Sequence, residues 1–253
     1  MKTAPRQSKH PLHRLFRGAS LAMALSLACS LPSTAQDLIT SAKFTEPTTR
    51  YAHGVLGDDV EYGAIELHIQ ALDGSSQAIT LRLPETRVFE DLDPRLIDLD
   101  TDGAPEVVVV ESDAALGARL SVYGPKGLIA ATPHIGQRNR WLAPIGAADF
   151  DSDGFVEIGY IDRPHLAKAL QLWRFKDGKL TEVATKTGLT NHKIGWVFIA
   201  GGLRHCADAP EMITADANWS RIIATAYDGT SLSARDIGPY AGPQSLTKAL
   251  SCP

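Results

Sequence analysis

Cysteine is scarce here: 253 residues carry three, Cys29, Cys206 and Cys252. No His-x-x-x-His pair and no His/Cys cluster with zinc spacing occurs, and His53, His68, His134, His165, His192 and His205 are scattered, so a zinc centre is not expected. Also absent are a Gly-x-Ser-x-Gly elbow, a phosphate-cradling glycine loop and a dinucleotide fingerprint, which removes the commonest sequence signatures of hydrolases and nucleotide enzymes. Beyond the N-terminal region no apolar run reaches the roughly 18 residues that a membrane helix needs. Acidic residues are missing altogether from positions 1–35, and that absence is informative.

Lys2, Arg6, Lys9, Arg14 and Arg17 precede an apolar run from Ala19 to Leu31, and Ser33-Thr34-Ala35 supplies small residues for cleavage. This is the layout of a secretory signal peptide over residues 1–35, with an apolar core too short to span a bilayer. A lipid anchor at Cys29 is the alternative, but Ser26 stands where such a site wants Leu. Removing the leader takes away five positive charges and no negative one, so the formal charge falls from −4 to −9. An acidic mature chain argues against nucleic acid and anionic membranes as partners and agrees with cation binding. A periplasmic or secreted location is expected. There Cys206 and Cys252 form an even pair that an oxidising compartment can bridge. Two free thiols are the alternative, and catalytic cysteine chemistry a distant third.

What is present in unusual density is acid on alternate residues. Asp98-Leu99-Asp100-Thr101-Asp102-Gly103-Ala104-Pro105-Glu106 runs into four valines, and 51 residues later Asp149-Phe150-Asp151-Ser152-Asp153-Gly154-Phe155-Val156-Glu157 runs into Ile158-Gly159-Tyr160-Ile161. Calcium takes six to eight oxygens, and loops of this kind supply them from positions 1, 3, 5, 7 and 9. The expected ligands are therefore the carboxylates of Asp98, Asp100, Asp102 and Glu106 with the Ala104 carbonyl. In the second loop they are those of Asp149, Asp151, Asp153 and Glu157 with the Phe155 carbonyl. The glycine at position 6 permits the sharp turn. An EF-hand fails, because position 12 is Val109 or Tyr160 and the flanks read as strands rather than helices. Plain polar turns are the other alternative, but clustered carboxylates repel one another without a cation.

Turn glycines recur at Asp73-Gly74, Lys126-Gly127, Asp177-Gly178 and Asp228-Gly229, at spacings of 53, 51 and 51. Each is flanked by alternating strand-like runs, the pattern of a β-hairpin. Glu106 and Glu157 each precede the next such glycine by 21 residues, and a further acid follows each after five, Glu111 and Asp162. Glu211 through Asp216 aligns as a third copy, in which Leu203, His205 and Ala207 stand at ligand positions, so no metal is expected there. In the first unit, Asp58, Asp59 and Glu61 lack the alternating pattern and are expected to be solvated turn acids, with a degenerate third cation site as the alternative. Four units of about four short antiparallel strands, without a helical period, describe propeller blades. The expectation is one all-β domain over residues 36–253, a small β-propeller of about four blades.

These loops resemble the FG-GAP or VCBS repeat family, the integrin-α-like calcium-binding propellers. Asp98, Asp100, Asp102, Gly103 and Glu106 match its Asp-x-Asp-x-Asp-Gly-x-x-acid pattern, as do Asp149, Asp151, Asp153, Gly154 and Glu157, with the lead-in Gly146-Ala147-Ala148. Two departures are visible: the ninth position is Glu where the family often has Asp, and four units are fewer than its usual seven. The resemblance implies a secreted or periplasmic propeller whose calcium ions, here two, stiffen the blade loops. It names no partner, since propellers host enzymes, lectins and adhesion modules alike.

Gln137-Arg138-Asn139-Arg140-Trp141 and, one unit on, His192-Lys193-Ile194-Gly195-Trp196 place basic residues before a tryptophan. Arg138, Arg140, Trp141, His192, Lys193 and Trp196 could line one rim and bind an acidic ligand or a sugar. Packing of the tryptophans between blades is the bland alternative. The chain is expected to act as a non-catalytic binding or scaffold module, with a protein or carbohydrate ligand in view. The competing expectation is a carbohydrate-active hydrolase or lyase. It needs two facing carboxylates roughly 5–10 Å apart, and Glu111, Asp162 and Asp216 are its candidates.

Overall fold

The computed structural model describes residues 37–206 and 209–252. The leader expected over 1–35 lies outside them, as does Ala207. The chain is built of antiparallel strands in four consecutive groups. The first holds β1 (Leu38–Thr48), β2 (Glu61–Gln70) and β3 (Ser76–Arg82). The second holds β4 (Arg87–Phe89), β5 (Arg95–Ile97), β6 (Glu106–Asp113), β7 (Gly117–Gly124) and β8 (Gly127–Ala131). The third holds β9 (Leu142–Ala148), β10 (Glu157–Asp162), β11 (Ala169–Lys176) and β12 (Lys179–Thr187). The fourth holds β13 (Leu189–Thr190), β14 (Gly202–Arg204), β15 (Glu211–Asp216), β16 (Arg221–Tyr227) and β17 (Leu232–Pro239), followed by a short helix α1 (Pro243–Ala249).

All four glycine hairpins form, as β2–β3, β7–β8, β11–β12 and β16–β17. The all-β expectation holds, with differences. The first group has three strands rather than four, and a Tyr62–Phe89 pairing joins it to the second, so the two make one eight-stranded sheet. In the second and fourth groups the strand leading into the loop is broken in two. β4 and β5 pair with opposite ends of β6, and β13 and β14 with opposite ends of β15. The helix was not expected either. Among the described residues no helix is long and apolar enough to cross a membrane.

Why β6 reads as an unbroken apolar run is now plain. Val107 and Val109 pack with Ile65, Leu67 and Phe89 of the first group. Val108 and Val110 pack with Ile158, Tyr160 and Trp173 of the third. Strands alternate their side chains between faces, so a sheet covered on both sides needs apolar residues at every position. The same division recurs in the fourth group: Met212 and Ile223 face the third group, whereas Ile213, Ala215, Ile222 and Ala224 enclose Leu246 of α1. On β2, Glu66 pairs instead with Lys43 and His68 at 2.8 and 3.1 Å, a polar face. The helix thus covers an apolar face that no further sheet covers among the described residues.

The expected Cys206–Cys252 disulfide is formed, with a Cα–Cα distance of 5.2 Å. It ties the tail beyond α1 to the segment after β14. Closing a loop across 46 positions restricts the unfolded chain, and removing it through a Cys206→Ser/Cys252→Ser double variant is expected to cost about 2–4 kcal/mol. Urea unfolding checks this; an unshifted midpoint would mean that α1 docks unaided.

Candidate metal centres in the acidic loops

Each acidic loop is the turn of a strand pair. Residues 98–105 join β5 to β6, whose last pair is Ile97–Glu106, and residues 149–156 join β9 to β10 at Ala148–Glu157. The two turns are closely alike. Position 2 plunges into the core, Leu99 in one and Phe150 in the other. Its N–H donates to the carboxylate at position 9, at 3.0 Å from Leu99 to Glu106 and 3.2 Å from Phe150 to Glu157. The N–H groups at positions 5 and 6 donate to the carboxylate at position 1, at 3.1 and 3.0 Å on Asp98 and 3.1 and 2.9 Å on Asp149. Position 4 has positive φ in both, 60° at Thr101 and at Ser152, and Gly103 and Gly154 follow at 93° and 89°. Glycine at position 6 thus provides a backbone that side chains disfavour.

Oxygens of Asp98, Asp100 and Glu106 lie within 4.8 Å of one another, and so do those of Asp149, Asp151 and Glu157. Positions 1, 3 and 9 therefore converge as expected. Position 5 does not join them: Asp102 and Asp153 accept the N–H of position 7, from Ala104 at 2.9 Å and Phe155 at 3.0 Å. Burial, with the charges of Asp102 and Asp98 beside it, raises the pKa of Asp100. Burial, with Asp100 nearby, pushes the Glu106 carboxyl up to about 7.

The loops differ in what balances this charge. Across the ladder from Glu157 stands Arg174. Its guanidinium reaches Glu157 at 2.6 Å, Asp151 at 2.8 Å and Asp153 at 2.8 Å. The register of β6 with β7, Val107 opposite Tyr123, puts Gly124 in the corresponding place. There Ile129 would lie 2.8 Å from any Cβ. Among the described residues no Lys, Arg or His pairs with Asp98, Asp100 or Glu106. Asp98, Asp100 and Glu106 thus offer the donor set of a hard-cation site with no Lys, Arg or His paired to these three among the described residues; in the second loop a guanidinium already pairs with three of the acids.

A buried glutamate opens the corresponding strand in every group: Glu61, Glu106, Glu157 and Glu211. Their partners form a series. Glu211 binds Arg204 at 2.8 Å and Arg235 at 2.8 Å, and despite its burial these hold its pKa low. At the other extreme, Glu61 is 3% exposed and accepts no hydrogen bond among the described residues. Burial first, then the charges of Glu90, Asp58 and Asp91, push it up to about 9. The expectation that Glu61 is solvated is therefore wrong, although Asp58 and Asp59 are exposed. The sequence signal was available: each of these glutamates starts an apolar run. Leu203, at a ligand position of the third copy, packs in the apolar core.

The expected rim is only partly a surface. Trp141 is 2% exposed, donates its indole N–H to the Glu90 carbonyl at 2.9 Å, and lies edge-on to His192, itself buried, with centroids 5.0 Å apart. Both belong to the interior because their polar atoms find partners there. Trp196 is half-buried and, with Trp219 and Tyr240, surrounds the Lys193 ammonium at 5.6, 4.8 and 5.5 Å. Arg138 is exposed and Arg140 half-buried. The three acids considered for a hydrolase are each engaged separately. Glu111 holds Arg87, Arg119 and Tyr123; Asp162 holds Arg163; and Asp216 accepts N–H groups of Ser220 and Arg221.

No protein-family model matches the chain, and no curated protein does.

Proposed function

We propose that this is an exported, calcium-binding protein of propeller type that serves as a non-catalytic binding or scaffold module, with the first acidic loop as its principal ion site. The observation that carries this is Glu106, a carboxylate 6% exposed, converging with Asp98 and Asp100 and paired with no Lys, Arg or His among the described residues. A divalent ion held there by Asp98, Asp100, Glu106 and the Ala104 carbonyl, with Asp102 turning in from the Ala104 N–H to join them, balances these carboxylates and fastens the end of β5 to the start of β6. The oxygen-only donor set favours calcium or magnesium over softer metals. Asp149, Asp151, Asp153, Glu157 and the Phe155 carbonyl form the second site, which takes an ion only as Arg174 withdraws. The propeller reading is supported by the face-to-face packing of successive strand groups and by the connecting loops of the first and fourth. Those loops meet closely enough that a Cβ at Gly57 would lie 2.7 Å from Val197. Export is supported by the basic-then-apolar leader and the disulfide.

Calcium titration followed by calorimetry and thermal melting tests this. Extracellular-style sites bind at about 10⁻⁴–10⁻³ M, and an ion at a hundred times its dissociation constant stabilises by about 2.7 kcal/mol. The expected result is a first binding step abolished by Asp100→Ala and a weaker second step abolished by Asp151→Ala. Arg174→Met is expected to strengthen the second step tenfold or more without moving the first. An identical melt in calcium and in chelator would remove both sites.

A further inference from the structure

The described chain contains twelve arginines, and ten of them pair with a carboxylate. The two that do not are Arg138 and Arg140, neighbours in one turn. That turn is held rigidly. Ala118 donates to the Arg140 carbonyl at 2.8 Å, and Asn139, at φ 54°, donates its N–H to the Tyr51 hydroxyl at 3.0 Å. Any side chain at Gly117 would strike the Gln137 carbonyl oxygen, since a Cβ there would lie 2.2 Å from it. The Arg140 guanidinium itself has one partner, the Asn139 carbonyl at 3.1 Å.

Arg140 lines a small depression together with His53, Asn139, Trp141, Arg163 and His165. These come from segments far apart in the chain, so the fold has gathered them. His53 is oriented from behind: its Nδ1 pairs at 2.5 Å with Glu90, which is completely buried and also bonded to Ser112. Its Nε2 has no partner among the described residues. His165 is likewise fixed, its Nε2 meeting His192 at 3.0 Å. Arg163 adopts φ 43°, unusual for a long side chain, and is balanced by Asp162 at 2.7 Å. Backbone strain of this kind persists where the surroundings over-determine it, and it gathers at binding sites. The depression leaves about 30 Å³ to the centre of a water-sized group, within a half-open hollow of about 220 Å³ that merges with solvent. That admits one small polar group and no ring. Trp141 is buried beneath it, so no indole face is offered to a sugar.

We propose that this depression binds a small oxyanion, the carboxylate or the tetrahedral phosphate- or sulfate-type group of a ligand. Arg140 supplies the unbalanced charge, and His53 and Arg163 supply directed N–H donors. A guanidinium with free donors and a pre-oriented imidazole suit an oxyanion's lone pairs, and rigidity of the turn lowers the cost of binding. The site is separate from the acidic loops and does not need them to hold an ion.

Calorimetric titration of the mature chain with sodium sulfate and, separately, sodium acetate tests it, in chelator and again in calcium. One saturable site is expected in both conditions for at least one anion. Sulfate alone would define a tetrahedral site, acetate alone a planar one. Arg140→Gln is expected to weaken binding at least tenfold and His53→Gln several-fold, whereas Arg82→Gln, on the surface, leaves it unchanged. Arg138→Gln serves as a second variant that disturbs no packing, with a smaller loss expected, and circular dichroism confirms folding of each. Absence of saturable binding by either anion, or equal binding by the Arg140 variant, overturns the proposal whatever the calcium result.

Discussion

Phe150→Ala is expected to destabilise the protein by about 3–5 kcal/mol, the range for emptying a buried aromatic site. Phe150 is fully buried among Ile161, Leu170, Leu172, Leu189, Met212 and Tyr227, between the third and fourth strand groups. It is also position 2 of the second acidic loop, so its loss removes the anchor that sets the backbone N–H against Glu157. Two consequences are therefore tied together: a lower urea midpoint in chelator and a weaker second calcium step. Leu99→Ala is expected to act likewise on the first loop, costing about 2–5 kcal/mol. Leu72→Ala, at a side chain 64% exposed, should change stability by less than about 0.5 kcal/mol. If Phe150→Ala were as mild as Leu72→Ala, the loop would not be anchored through the core at all.

Glu61→Gln is expected to flatten the dependence of stability on pH. Folding raises this carboxyl from its ordinary 4.5 to about 9, chiefly by burial and then by the charges of Glu90, Asp58 and Asp91. Between those two values the folded chain holds a proton that the unfolded chain has released. The contribution is thus full below about 4.5, declines by about 1.4 kcal/mol per pH unit as pH rises, and levels off above about 9. Glutamine is close in shape and cannot ionise, so the variant should be the more stable of the two at pH 8. Urea unfolding at pH 6, 7, 8 and 9 for both proteins isolates this term from the other titrating groups. Parallel curves would show that Glu61 is solvated or paired after all.

Hairpins and acidic loops were readable because their determinants are local. The turn glycines at 74, 127, 178 and 229 and the alternate acids of 98–106 and 149–157 act through backbone conformation and short-range charge, within a few residues of themselves. The cysteine pair was readable by elimination once Cys29 was assigned to the leader. Glu61 was misread because its burial comes from sheet packing and its charged neighbours, Glu90 and Asp91, lie some thirty residues away. The rim reading and the packing reading of Trp141 and His192 are both open from the sequence, because adjacent basic residues suggest a surface while the acceptor of the indole N–H, the Glu90 carbonyl, lies across the fold.

From the sequence alone came strand content, the positions of four hairpins, the six acids that converge in two loops and the pairing of Cys206 with Cys252. Tertiary structure alone decided that Arg174 fills one acidic loop while Gly124 faces Glu106 in the other, and that, among the described residues, Arg138 and Arg140 are the arginines without a carboxylate partner. Charge balance is a sum over everything within a few ångströms. Which residues enter that sum depends on strand register and sheet packing, and neither is written in any single stretch of the chain.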